Sequence, residues 1–168
     1  VYTNAKHSEA VYVFSNDSFF KADSDLTVVT TGLESQGVIA QGTNAVADVG
    51  RNATIVTYGE TTTNATNMRN YSSSALMARN GGKVIIGDGS QIATFGNGFS
   101  NGLLLLDNQS QALIGSNVSI TTEGDGAYGI LAMTGNPGLA AVSGLTVITK
   151  GFESTGVLSQ NNASVDLG

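Results

Sequence analysis

Residues 26–50 read LTVVTTGLESQGVIAQGTNAVADVG, and the pattern returns at residues 145–168 as LTVITKGFESTGVLSQNNASVDLG. The central parts of the two stretches, GLESQGVIAQ from Gly32 and GFESTGVLSQ from Gly151, match almost residue for residue. Two such similar stretches, far apart in one chain, indicate a fold built by repetition. The repeat period therefore decides the fold.

Five threonine-containing segments that end in glycine mark the repeat. They begin at residues 26, 53, 90, 118 and 145, with spacings of 27, 37, 28 and 27. The period is therefore about 27 residues, with one insertion of about ten residues that we place at 60–74. Each start is followed by a second and a third apolar segment, and residues 139–144 provide the third one in the repeat that begins at 118. Residues 10–13 and 18–23 fit the end of an earlier repeat, so we expect about six partial coils from a longer protein.

The threonine segments alternate between apolar and polar residues, which is typical of a strand with one buried face. Residues at the same position of successive repeats form a column. One column contains Val28, Ile55, Ile92, Ile120 and Val147, and another contains Thr30, Thr57, Thr94, Thr122 and Thr149. Since the two columns are two residues apart, we expect the threonines to point inward and to form hydrogen bonds along the column or to the backbone. Three short strands per repeat favour stacked coils of a parallel β-helix over propeller blades, which need four strands and about 40 residues.

Composition and charge exclude several classes. The chain has 168 residues, 22 glycines, no cysteine and a net charge of −6, and its basic residues are scattered. Nucleic-acid binding needs clustered Lys and Arg, so we expect no nucleic-acid partner. The absence of cysteine excludes disulfides and thiolate metal sites. No apolar run reaches the roughly 18 residues that span a bilayer, so we expect no membrane insertion by this chain.

The residues predict no catalytic, cofactor or metal site. His7 is the single histidine, which excludes a His-based zinc site with several histidine ligands. Glu34 and Glu153 hold equivalent positions in repeats too far apart for acid–base pairing. Glu123 and Asp125 flank a corner where a weak cation could bind, although a solvated turn is favoured. We interpret the asparagines of the Asn-x-Ser/Thr sequences as turn residues rather than as glycosylation sites.

The pattern x-T-[IV]-x-T-x-G, followed by GAYGILA at 126–132 and by A-x-V-D-[VL]-G, resembles the pertactin-like passenger domains of autotransporters. These are type V secreted proteins of Gram-negative bacteria, and the resemblance covers residues 10–168. It implies a right-handed, single-stranded parallel β-helix that is secreted or displayed on the bacterial cell surface. It also implies export across the outer membrane by a C-terminal β-barrel in the parent chain. The lack of cysteine agrees with that route.

Two features predict partner binding. The first is the insertion at 60–74, in which Arg69 and Tyr71 are residue types enriched in interface hot spots. A neutral surface loop is the competing interpretation. The second is the middle column of the second strand, which alternation places on the outer face as an exposed apolar stripe. A bulge or a covering loop that buries this column is its competing interpretation. The column contains Ile39, Met77, Leu104, Leu131 and Leu158.

The sequence thus predicts a non-enzymatic, surface-exposed or secreted virulence or adhesion passenger. Its expected partner is a host cell-surface protein, extracellular matrix, a neighbouring bacterium or a second passenger. One alternative is a released passenger that acts as a ligand of a growth-factor-type host receptor. An alternative of another class is a polysaccharide-active β-helix enzyme, which would need acidic and basic residues clustered on one face.

Overall fold

The computed structural model describes residues 1–61, 72–133 and 135–168. Within these ranges the chain forms eighteen β-strands and no helix. Accordingly, no described segment has the helical length and apolarity needed to cross a membrane. Each coil contributes one strand to each of three six-stranded sheets. Coil 1 contains β1–β3, coil 2 contains β4–β6, and so on to coil 6 with β16–β18.

Sheet 1 contains β1 (Tyr2–Thr3), β4 (Thr27–Thr30), β7 (Thr54–Thr57), β10 (Gln91–Thr94), β13 (Ser119–Thr122) and β16 (Thr146–Thr149). Sheet 2 contains β2 (Val11–Phe14), β5 (Val38–Gln41), β8 (Leu76–Arg79), β11 (Leu103–Leu106), β14 (Tyr128–Met133) and β17 (Thr155–Ser159). Sheet 3 contains β3 (Phe19–Lys21), β6 (Val46–Asp48), β9 (Lys83–Ile86), β12 (Gln111–Ile114), β15 (Gly138–Ala141) and β18 (Ser164–Asp166).

Every strand pair is parallel and joins equivalent positions of successive coils. Ile92, for example, pairs with Ile55 on one side and with Ile120 on the other. Leu139 pairs with Ala112, which places the irregular third segment of coil 5 where the repeat requires it. The all-β parallel solenoid of about six turns confirms the predicted fold class and period. The right-handed sense implied by the resemblance stays a prediction.

The threonine column lines the interior of the corner between sheets 1 and 2. Thr30, Thr57, Thr94 and Thr122 are fully buried, which confirms the inward orientation. The hydroxyls of Thr94 and Thr57 donate to the carbonyl oxygens of Ser100 and Ser73 at 2.7 and 2.9 Å. Thr30 makes the same kind of bond to the Ser35 carbonyl at 3.4 Å. The predicted bonding to the backbone is therefore present in three coils.

Thr122 is the exception among these four buried threonines. Thr94 pairs with Thr122, and Leu103 with Ile130, so the two corners can be aligned residue by residue. Five residues (96–100) form the corner of coil 4, whereas four (124–127) form that of coil 5. With the shorter corner, the Thr122 hydroxyl has no hydrogen-bond partner in the described part of the chain. Corner length alone does not explain this difference, because the corner of coil 2 (32–35) also has four residues and Thr30 is bonded there.

The corners are closed by contacts between successive coils. A Cβ at Gly124 would lie 1.8 Å from the Gly96 carbonyl oxygen, and one at Gly96 would lie 1.9 Å from that of Gly59. Asn97 Oδ1 accepts the Asp125 N–H at 3.2 Å, and Asp125 Oδ1 accepts the Phe152 N–H at 2.7 Å. Each of these acceptor side chains lies one coil before the backbone donor that it binds.

The asparagines of the Asn-x-Ser/Thr sequences take part in the same turn chemistry. Asn52, Asn117 and Asn162 adopt positive φ angles of 54°, 56° and 66°. The Asn16 Oδ1 atom accepts the Thr43 N–H at 3.1 Å. Asparagine suits both roles, because its short amide tolerates the left-handed conformation and can accept a backbone N–H. The turn interpretation is confirmed at these four positions.

Candidate functional site

The predicted exposed stripe on sheet 2 is buried. Val38 and Ala40 belong to the interior core, whereas Ile39 between them belongs to a separate apolar cluster, as strand alternation predicts. However, Ile39, Met77, Leu104 and Leu131 are each at most 1% exposed. The expectation of a solvent-exposed stripe is therefore wrong for these four residues. Leu158, the fifth residue of the column, is half-buried.

Side chains outside the column pack against it and give the physical reason. Leu106 belongs to the same cluster, and Phe99, Tyr128 and Met133 pack against it. The Phe99 and Tyr128 rings are stacked with centroids 6.4 Å apart. Alternation determines which side of a strand a residue occupies, but it does not determine what covers that side. The column is consequently a second apolar core, open at its N-terminal end, where Tyr12 is 43% exposed.

The two insertion residues singled out for binding, Arg69 and Tyr71, lie outside the described residues. The described ends of 60–74 belong to the coil itself. The Thr61 hydroxyl accepts the Ser73 N–H at 2.9 Å, and the Ser73 hydroxyl donates to the Glu60 carbonyl at 3.1 Å. Ser72, Ser73 and Ser74 are fully buried. An excision that includes these residues would remove part of the corner, so only 62–71 can be exchanged without breaking these contacts.

The acidic residues considered above for acid–base pairing or cation binding have structural partners. Glu123 forms an ion pair with Lys150 at 2.5 Å, and Asp125 accepts a backbone N–H as described above. Glu34 is almost fully buried, and its carboxylate lies 3.7 Å from Lys6 Nζ and 3.4 Å from His7 Nδ1. Across residues 1–61, 72–133 and 135–168, no three His, Cys, Asp or Glu side chains converge as a metal site. These ion pairs and hydrogen bonds link the corners of successive coils.

The outer face of sheet 1 carries exposed aromatic side chains. Tyr58 and Phe95 are 52% and 40% exposed, and their rings stack with centroids 5.0 Å apart and planes 14° apart. Tyr2 and Ile148 are also exposed on the neighbouring outer column. We call the stacked pair of Tyr58 and Phe95 the aromatic face. The signal in the sequence was the variable residue between threonine and glycine in each repeat, which is Tyr58 in coil 3 and Phe95 in coil 4.

A notch interrupts the corner between sheets 2 and 3. Three residues (80–82) separate Arg79 from Lys83 in coil 3, whereas four separate Gln41 from Val46 in coil 2 and Leu106 from Gln111 in coil 4. Gly81 and Gly82 leave the shortened corner without side chains at two of its three positions. The resulting open depression is lined by residues of coils 2 to 5. We call it the corner notch. The one-residue gap is visible in the sequence, but a repeat period of about 27 residues does not reveal it.

Comparison of the chain with protein-family models, with curated proteins and with solved structures finds no match in any of the three. Function is therefore inferred from the surfaces of the chain itself.

Proposed function

We propose that the chain is a non-enzymatic binding segment of a bacterial passenger protein that is secreted or displayed on the cell surface. It presents the aromatic face to a host cell-surface protein, to matrix or to a neighbouring bacterium. The observation that carries this proposal is the stacked pair of Tyr58 and Phe95, half-exposed on a regular sheet. The repeat pattern, with its resemblance to passenger domains, supports the cellular setting.

The position of the pair suits an interface. Tyrosine is enriched in interface hot spots, and a large aromatic side chain contributes much contact area when it is desolvated. Both residues follow strands β7 and β10, which pair in register, so little conformational entropy remains to be lost on binding. Glu123 and Lys150 continue the same outer column and form an ion pair. An apolar centre beside charged residues is the usual composition of a binding patch.

The test is the double variant Tyr58→Ser with Phe95→Ser. Labelled wild-type and variant proteins are measured by flow cytometry on cultured epithelial cells and by binding to matrix-coated surfaces. We expect the variant to bind at least tenfold more weakly, which is about 1.4 kcal/mol. Its melting temperature should stay close to that of the wild type, because both side chains are largely exposed.

Phe19→Ser is the matched control, since Phe19 is an exposed aromatic residue on sheet 3. It should bind like the wild type. Binding to a host surface is ruled out if the wild type binds neither cells nor matrix. The proposal is wrong if the double variant binds as well as the Phe19 control.

A further inference from the structure

The corner notch results from a specific difference in corner length between coils. Coils 2, 4 and 5 each have four residues at this corner, and coil 3 has three. Gly81 lines the notch, and a Cβ at the adjacent buried Gly82 would lie 2.2 Å from the Ala40 carbonyl oxygen. The shortened corner therefore requires glycine at Gly82. The neighbouring coils form the walls of the notch.

Amide side chains dominate the walls. The lining includes Asn80, Asn108, Gln109, Gln111 and Asn136, with the hydroxyl-bearing Thr43 on the opposite wall. These five residues are exposed, and their side chains form no hydrogen bond with any other described residue, whereas a sixth lining amide, Asn44, donates to Asp17 Oδ1 at 3.0 Å. Each amide offers one acceptor oxygen and two donor hydrogens. The notch thus presents repeated donor–acceptor pairs that point to solvent and are available to a ligand.

The charges of the lining balance. Lys83 and Asp107 contribute one positive and one negative charge, and the other lining residues are uncharged at neutral pH. A strongly anionic ligand would need an excess of Lys or Arg, which this corner does not offer. An extended peptide normally binds a free sheet edge or pockets for its side chains. The strands beside the notch are paired on both sides, and Val46 is the one large apolar residue in its lining.

From this geometry we propose that the corner notch binds an uncharged oligosaccharide. Adjacent hydroxyls of a sugar present the donor and acceptor pairs that asparagine and glutamine side chains match. Successive coils are about 4.8 Å apart, so the amides recur along the rod at a spacing comparable to one sugar unit. The chain of sugars lies along the rod axis, across coils 2 to 5. This site is separate from the aromatic face, which lies on sheet 1.

The experiment measures binding of the neutral probes cellohexaose, maltohexaose and mannohexaose by isothermal titration calorimetry. A heparin hexasaccharide and an uncharged Gly/Ser hexapeptide serve as comparators. We expect at least one neutral hexasaccharide to bind with a Kd of about 1 mM or below, which is about −4 kcal/mol. Gln109→Ala and Asn136→Ala should each weaken this binding about tenfold through lost hydrogen bonds. Gln91→Ala is the matched control, because Gln91 is an exposed amide on sheet 1.

A second variant closes the notch and removes only Asn80 among the amides of the walls. It replaces residues 80–82 by Gly-Thr-Asn-Ala, the corner of coil 2 at residues 42–45. We expect this variant to keep the β-sheet circular dichroism spectrum and to lose sugar binding. If the graft does not fold, the two alanine variants decide. The proposal is overturned if no neutral hexasaccharide binds the wild type, if the alanine variants bind like Gln91→Ala, or if either comparator binds as tightly.

Discussion

Replacing Thr122 by valine removes a buried hydroxyl that has no hydrogen-bond partner among the described residues. Thr122 is fully buried, and its equivalent in the preceding coil, Thr94, donates to the Ser100 carbonyl at 2.7 Å. The same substitution at Thr94 therefore removes a satisfied hydrogen bond. Because valine has nearly the shape of threonine, the pair isolates the hydroxyl. The two variants should shift stability in opposite directions.

The magnitudes follow from hydrogen-bond energetics. A buried polar group without a partner costs about 1–3 kcal/mol. We expect Thr122→Val to raise the free energy of unfolding by about 1–2 kcal/mol, because valine places a methyl group where the unsatisfied hydroxyl was. Thr94→Val should lower it by about 1–2 kcal/mol, since the Ser100 carbonyl then loses its donor. For a chain of this size, each kcal/mol corresponds to about 2–4 °C in Tm.

The assay is urea unfolding of the two variants and the wild type, followed by far-UV circular dichroism. Tyrosine fluorescence provides a second probe, because the chain has five tyrosines and no tryptophan. Coincident transitions by the two probes would justify a two-state treatment, which a solenoid does not guarantee. If Thr122→Val loses as much stability as Thr94→Val, the Thr122 hydroxyl is bonded in solution. The assignment of Thr122 as an unsatisfied buried hydroxyl would then be refuted.

Two further predictions concern the second apolar core and the corner glycines. Leu104→Ala should lower the free energy of unfolding by about 2–5 kcal/mol, because it leaves a cavity in this core. The double variant Leu104→Asp with Leu131→Asp should unfold the chain, because it buries two charges. A double variant that stays folded by circular dichroism would show that the column is exposed. Gly124→Ala should be strongly destabilising because its Cβ would lie 1.8 Å from a carbonyl oxygen, whereas Gly138→Ala, with nothing within 4 Å, should stay within about 0.5 kcal/mol of wild type in urea unfolding. Equal effects at the two glycines would contradict the stacking of the corners.

The interior of the fold was predictable because each coil repeats the same requirement. Ile55, Ile92 and Ile120 occupy the same position of their repeats, and parallel pairing joins them directly. An error in one repeat is corrected by the others, so the strands, the register and the inward threonine column all follow from the period. In coil 1, Tyr12 continues the middle column of sheet 2, because it pairs with Ile39.

The surfaces were less predictable because they depend on differences between coils. Phe99 packs on the second apolar core, and it lies in the five-residue corner of coil 4. The corner notch results from one residue fewer in coil 3. A period found by averaging over repeats discards such single-residue differences. The proposed binding surfaces therefore depend on positions where one coil differs from the others, whereas the fold depends on positions that the coils share.

The column of corner glycines has a consequence for how such a chain lengthens in evolution. Each of Gly59, Gly96, Gly124 and Gly151 lies against the carbonyl oxygen of the corner glycine one coil before it. Duplication of a whole coil copies both partners of this contact, whereas a partial duplication would place another side chain against that oxygen. Duplications that lengthen the stack are therefore whole coils, whereas an insertion between the glycines, such as that at 60–74, keeps the column intact. The similarity of residues 26–50 and 145–168 is what such a duplication would leave.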